Sequence, residues 1–319
     1  MLIIIIIHFT KRVRRINIRA MSSHPSQSLQ ASAKHCGTWL MTAGGLLLGT
    51  IGVFVEEAGQ SPLMTVWFRC AFGAAALLMW AAATGQSAQL RLRGHGWSAA
   101  LTTGCLMVLN WALFFGAIAR TSIGVATVVF HIQPLLVMAL GAWWLGERVT
   151  GVQWAAGLLA LVGLALSTGL LDNLQPTRNV SDQYVLGLLM CLGGSLSYAA
   201  VTLIAKSIRS ISPFALAWWQ CVVGTVLLGG WPIVHGWPPM SAAWAWLAGL
   251  GVIHTGLAYV LLYAGMARLS AGRLATLQFV YPATAVLVDW AVYGRTLSAV
   301  QLLGVGLMAV AIGVARKSG

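Results

Sequence analysis

The stretch RTSIGVATVVFHIQPLLVMALGAWWLGERVTGVQ, residues 120–153, and the stretch RLSAGRLATLQFVYPATAVLVDWAVYGRTLSAVQ, residues 268–301, share one pattern. Arg120, Ser122, Gly124, Pro134, Gly146, Val152 and Gln153 recur 148 residues on as Arg268, Ser270, Gly272, Pro282, Gly294, Val300 and Gln301. Upstream, Ser61-Pro62, Trp67, Cys70 and Gly73 recur 151 residues on as Ser212-Pro213, Trp218, Cys221 and Gly224. Two runs in matching order at nearly one offset mark an internal duplication.

Composition tells what is duplicated. Of 319 residues, 59% are hydrophobic and 8% charged, and the mean hydropathy is +0.83. A soluble domain carries roughly a quarter charged residues. Ten bilayer spans of about 20 residues would use roughly 200 of the 319 and leave short loops and a tail. A soluble enzyme, a nucleic-acid module and a secreted disulfide scaffold are excluded. Cys36, Cys70, Cys105, Cys191 and Cys221 are odd in number and form no CxxC pair, so they read as small apolar side chains.

Apolar stretches lie at 38–57, 62–84, 97–117, 122–146, 151–171, 184–205, 213–235, 241–263, 272–293 and 298–315. Backbone groups in lipid must pair internally, and no short alternating segments suggest a barrel. The expected fold class is therefore all-α, a polytopic protein of ten transmembrane helices in two five-helix repeats, 38–171 and 184–315. Residues 1–37 form a tail, whose segment 1–20 reads as an extension upstream of Met21. Five is odd, so the second repeat must enter the membrane inverted. Inverted repeats around a midplane site are a transporter design.

Lysine and arginine set the orientation. With the N-terminus inside, Arg91, Arg93, Arg148, Lys206, Arg209, Arg268, Arg273, Arg316 and Lys317 share its side, and only Arg120, Arg178 and Arg295 fall outside. Counting the six basic residues of the tail, the bias is 15 to 3. Both termini are expected in the cytoplasm. The net charge of +13 mostly reflects this placement and does not call for nucleic acid.

Five-plus-five spans, Pro134 and Pro282 in the fourth helix of each half, and Leu145-Gly146-Glu147 resemble the drug/metabolite transporter superfamily, and within it the EamA-type exporters. The amino-acid exporters of the YddG kind are a similar subgroup. The resemblance implies a secondary carrier exporting small solutes across the inner membrane. One departure stands out: the counterpart of Leu145-Gly146-Glu147 is Tyr293-Gly294-Arg295, so a symmetric pair of acids is missing.

Candidate site residues cluster around the two prolines, which read as paired hinges or kinks. Phe130, His131 and Gln133 precede or adjoin Pro134, and Gln278, Phe279 and Tyr281 lead into Pro282. Polar groups at mid-span face a cavity or another helix. Ringed by aromatics they suit an amino acid or similar zwitterion, and the competing reading is helix–helix hydrogen bonding. Trp111 corresponds to Tyr259 and Phe115 to Tyr263, positions that could line a cavity or simply pack. Asn110, Tyr198 and His254 read as polar groups satisfied by neighbouring helices.

Charges inside the membrane are few. Arg69 lies two turns inside the second span, where an unpaired cation costs about 2–3.5 kcal/mol. A pair with Glu56 or Glu57 is expected, ahead of a substrate carboxylate. Asp289 and Glu56 are the acids available for proton coupling, and neither lies at mid-span, so exchange or facilitation is at least as well supported. No metal or cofactor is expected, since His131 and His254 lack ligand spacing. The spacing of Gly45 and Gly49 fits helix packing within a monomer better than a dimer. Enzyme signatures are absent: no GxxxxGK loop, HExxH or GxSxG. The expected function is export of small metabolites, amino acids first, with small-molecule substrate and membrane lipids as partners. A membrane-embedded lipid-modifying enzyme, or a carrier of drugs, nucleotide sugars or lipids, stays open as the alternative.

Overall fold

A computed structural model describes residues 27–92, 94, 96–169, 182–208 and 210–317. The expected upstream extension at 1–20 and Arg178 lie outside these residues. From Gly37 onward the chain forms one compact unit.

Among the described residues the chain is helical throughout, with ten apolar helices. They are α1 (Gln27–Gly49, continued by Ile51–Ala58), α2 (Pro62–Ala83), α3 (Gly96–Ile118), α4 (Ile123–Phe130, then Gln133–Trp144) and α5 (Gly151–Ser167). The second five are α6 (Asp182–Ser207), α7 (Pro213–Leu227, then Gly230–His235), α8 (Ala243–Met266), α9 (Ala271–Leu277, then Val280–Tyr293) and α10 (Ala299–Lys317). Eight are long and apolar enough to cross a membrane, and α5 and α10 are the shorter pair. The protein is a polytopic membrane protein. Helix α1 is already formed at Gln27, ahead of the apolar stretch that opens at 38, because the Gln-, Ser- and Ala-rich approach contains no helix breaker after Pro25.

The recurring residues now have structural reasons. Thr150 and Gln153 form a reciprocal capping box at the start of α5, and Ser298 and Gln301 form the same box at α10. Gly146 and Gly294 end α4 and α9 in the left-handed region, at φ 63° and 62°. Trp67 of α2 donates its indole N–H to the Thr225 carbonyl of α7. Its counterpart Trp218 of α7 donates to the Ala74 carbonyl of α2, so the same bond runs both ways.

Packing follows the same exchange. Helix α3 packs on α6 and α8 on α1; α2 packs on α8 and α7 on α3; α4 packs on α6 and α9 on α1. Three pairs, α2 with α7, α4 with α9 and α5 with α10, map onto themselves. Lipid gives apolar side chains no reason to associate, so contact depends on small residues that let backbones approach. At the α5–α10 crossing a Cβ on Gly163 would stand 2.6 Å from the Gly304 carbonyl oxygen. Gly45 lies against Val280 and Gly49 against Thr284, so that glycine pair packs α1 on α9 within the chain. Large apolar side chains such as Trp143, Val234 and Met240 face outward, where lipid would be.

Candidate functional site

The helix interruptions meet in the middle of the bundle. In α4 the break falls at His131 and Ile132, and in α9 at Gln278 and Phe279, each just before the matched proline. Proline has no N–H, so Pro134 leaves the Phe130 carbonyl without its intrahelical donor. The Ser195 hydroxyl of α6 takes that role at 2.7 Å. The break turns Phe130 and His131 inward. Phe130 stacks on Tyr198 of α6 with centroids 6.4 Å apart and 15° between planes. His131 lies near parallel to Tyr281 of α9 at 5.9 Å. Its Nδ1 lies 2.7 Å from the Thr127 carbonyl, which only accepts, so that nitrogen carries a proton. Tyr198 and Tyr281 are both half-buried.

Opposite stands Arg69 of α2, 7% exposed. Being two turns into the helix, it lies about 10 Å along the axis from Pro62. Its Nε donates to the Thr255 hydroxyl at 3.1 Å, and its guanidinium sits over the Trp111 ring at 5.5 Å from the centroid. Tyr259 lies beside it. The matched aromatics Trp111 and Tyr259 thus flank one cation. Thr255 is aimed by a π-helical segment, Leu250–Leu257, in α8: its hydroxyl donates to the Leu250 carbonyl five residues back at 3.0 Å. Such π-bulges often occur at functional sites. Tyr263, one turn beyond Tyr259, donates to the Gln220 side chain.

The expected pair of Arg69 with Glu56 or Glu57 does not form. Among the described residues no carboxylate lies within 4 Å of Arg69. Glu56 sits at the exposed end of α1 and bonds Arg295 at 3.0 Å, while Glu57 accepts from the Tyr293 hydroxyl at 3.3 Å. Asp289 also bonds Arg295, at 2.7 Å. The reason is depth: Arg69 points into the bundle about two turns in, and the acids remain at its rim.

Several other candidates are placed among packed helices. Phe279 is fully buried in an apolar cluster with Ala156, Ala160, Leu164, Met308 and Ala311, between α5, α9 and α10. Gln133 is buried and donates to the Thr202 hydroxyl of α6 at 3.4 Å, a helix-to-helix bond. Gln278 differs, since both its amide atoms are buried with no hydrogen-bond partner. Phe130, His131 and Tyr281 form one ring cluster, while Trp111 and Tyr259 lie beside Arg69. Arg273, counted with the loops, lies buried in the first turn of α9. Thr255 escapes a reading of the sequence, because nothing there announces a π-helical turn, and Tyr198 is read there only as a polar group satisfied by a neighbouring helix.

A bundle of ten helices with broken helices and an isolated cation at its centre has the architecture of a membrane transporter. The sequence profile of the EamA-like transporter family matches residues 35–169 and again 185–316, and the chain belongs to that family. It is 25% identical over 92% of its length to an uncharacterized transporter of Bacillus subtilis, YxxF, covering 94% of that protein. An uncharacterized transporter of Archaeoglobus fulgidus is 28% identical, over 84% of this chain and 92% of its own. A solved crystal structure shares the fold with a TM-score of 0.77 at 18% identity, covering 88% of this chain and 97% of that one.

Proposed function

We propose that this transporter is a secondary carrier for small metabolites that bear a carboxylate, amino acids first, including aromatic and other neutral ones. The carrying observation is Arg69, a buried guanidinium without a carboxylate partner among the described residues. A cation at the bilayer centre costs about 2.5–3.5 kcal/mol. A cation–π contact returns about 0.5–2 kcal/mol, and a hydrogen bond from the charged guanidinium adds about 1.5–3 kcal/mol. The site is therefore tolerable when empty and has bonding capacity left for an anion. A solute carboxylate fits that demand, and Arg offers it a fork of donors. The rings of Phe130, Tyr198 and Tyr281 then face the rest of the solute.

In this reading the two five-helix halves, 38–171 and 184–315, are inverted repeats that rock about Pro134 and Pro282 as hinges. The reciprocal bonds of Trp67 and Trp218 support that relation. Both termini lie in the cytoplasm, by the lysine and arginine bias, and the protein exports across the inner membrane. Exchange or facilitation is the proposed mode, because Asp289 and Glu56 are both engaged by Arg295 at the rim.

The test is counterflow in proteoliposomes loaded with unlabelled amino acids, with and without a pH gradient. Saturable exchange indifferent to the gradient is expected, with the matching decarboxylated amines inactive. Equal exchange of an amino acid and its amine would remove Arg69 from recognition. A gradient-driven flux would return Asp289 or Glu56 to the mechanism.

A further inference from the structure

The two ends of the bundle are each fastened across the halves by an ion pair, at matched positions but with the charges reversed. At one end Glu147, just after α4, is ion-paired with Lys206 at the end of α6. The other Glu147 oxygen accepts the backbone N–H of Ala271, the first residue of α9. At the other end Arg295, just after α9, bonds Glu56 at the end of α1. Position 295 lies 148 residues beyond 147, and 206 lies 150 beyond 56. The acid and the base have exchanged places.

That these are opposite ends follows from α9 itself. Ala271 opens the helix at the Glu147 clip, and Arg295 follows Tyr293 at its close. Twenty-three residues at 1.5 Å each separate the clips by about 34 Å, a bilayer's thickness. Each clip joins one half to the other. Glu147 belongs to the first half and both its partners to the second, whereas Arg295 belongs to the second and Glu56 to the first. The absent second glutamate is thereby explained: what recurs is the pairing, not the acid.

The clips are unequal in this structure. Side-chain exposure is 11% for Lys206 and 23% for Glu147, against 55% for Arg295 and 49% for Glu56. The Glu147 clip is the more enclosed of the two. We propose that Glu147–Lys206 and Glu56–Arg295 are the alternating latches of the carrier, one releasing while the other holds. This rests on the alternating-access reading above. Breaking one latch should bias the molecule toward opening at that end and closing at the other.

The experiment is spin-label distance measurement on the full chain in proteoliposomes, with the five native cysteines replaced. One label pair, at positions 148 and 207, reports the Glu147 end, and a second pair, at 61 and 296, reports the Arg295 end. Glu147→Gln should lengthen the first distance and shorten the second, and Glu56→Gln should do the reverse. Lys206→Arg, which keeps the charge and leaves Glu147 in place, should retain the wild-type distributions. Widening at both ends together, no change at either, or a shift in Lys206→Arg as large as that in Glu147→Gln would overturn the proposal. Glu56 is surface-exposed, so its variant reads out even if Glu147→Gln folds poorly. No solute is needed, so a carrier of some other solute class would still pass or fail this test on its own terms.

Discussion

Cys70 of α2 packs its sulfur where a side chain on Gly224 of α7 would begin, 2.5 Å from that ideal Cβ. The mirrored contact, Cys221 of α7 on Gly73 of α2, measures 3.1 Å. Each cysteine is housed by the other helix's glycine, and this is why Cys and Gly recur together.

Gly224→Ala should therefore destabilise the protein by about 1–3 kcal/mol through overpacking. Cys70→Ala in the same chain should recover most of the loss, because it removes the sulfur that the new methyl meets. Thermal unfolding in detergent checks this. Equal loss in the single and double variants would place the strain elsewhere, for example in the close approach of Gly251 to Phe72.

Arg69 is held by Thr255, so Thr255→Val should loosen the guanidinium without changing the volume around it. A hydrogen bond to a charged group is worth about 1.5–3 kcal/mol. An equal loss of solute binding corresponds to a KM about tenfold higher or more, with kcat little changed. Arg69→Lys should do worse, since a point charge cannot replace the fork. Initial rates of amino-acid counterflow distinguish the two patterns.

The two glutamines should part company. Gln278 has no partner for either amide atom, and burying such a group unsatisfied costs about 1–3 kcal/mol. Gln278→Leu should raise the unfolding temperature and lower transport if solute supplies the missing partners. Gln133→Leu gives up only its long bond to Thr202 and should leave transport kinetics at wild-type values. Transport impaired by Gln133→Leu and untouched by Gln278→Leu would reverse the assignment.

Salt should act on one end of the bundle more than the other. Screening shortens the reach of exposed charges from about 10 Å at 0.1 M to about 3 Å at 1 M, and touches enclosed pairs much less. The Asp289 hydrogen bond and charge, then Glu56, raise the Arg295 pKa, so Arg295 stays charged through the neutral range and only screening loosens it. Raising the salt should lengthen the 61–296 distance and leave the 148–207 distance unchanged. The reverse response would mean that the Glu147 clip is the more open one in solution.

Ten helices, their order and most of their ends were legible in the chain because lipid imposes one rule, that an apolar segment must satisfy its own backbone. The duplication was legible for a related reason. Caps, C-terminal glycines and helix-crossing glycines need particular residue types, as Thr150 with Gln153 and Ser298 with Gln301 show. The helix breaks next to Pro134 and Pro282 could be found because proline marks where a helix opens.

Pairing among charges was decided only by the tertiary structure. Proximity in sequence favoured Arg69 with Glu56, but depth along the helix axis separates them, and Arg295 arrives from 239 residues away. Thr255 reaches Arg69 through one π-helical turn whose cause no local pattern displays. Gln278 and Gln133 occupy similar places beside their prolines, yet Gln133 is bonded and Gln278 is not. Sequence sets what each helix can bear; which side chains meet depends on helix rotation and depth, and these are set by close packing of small residues across the whole bundle.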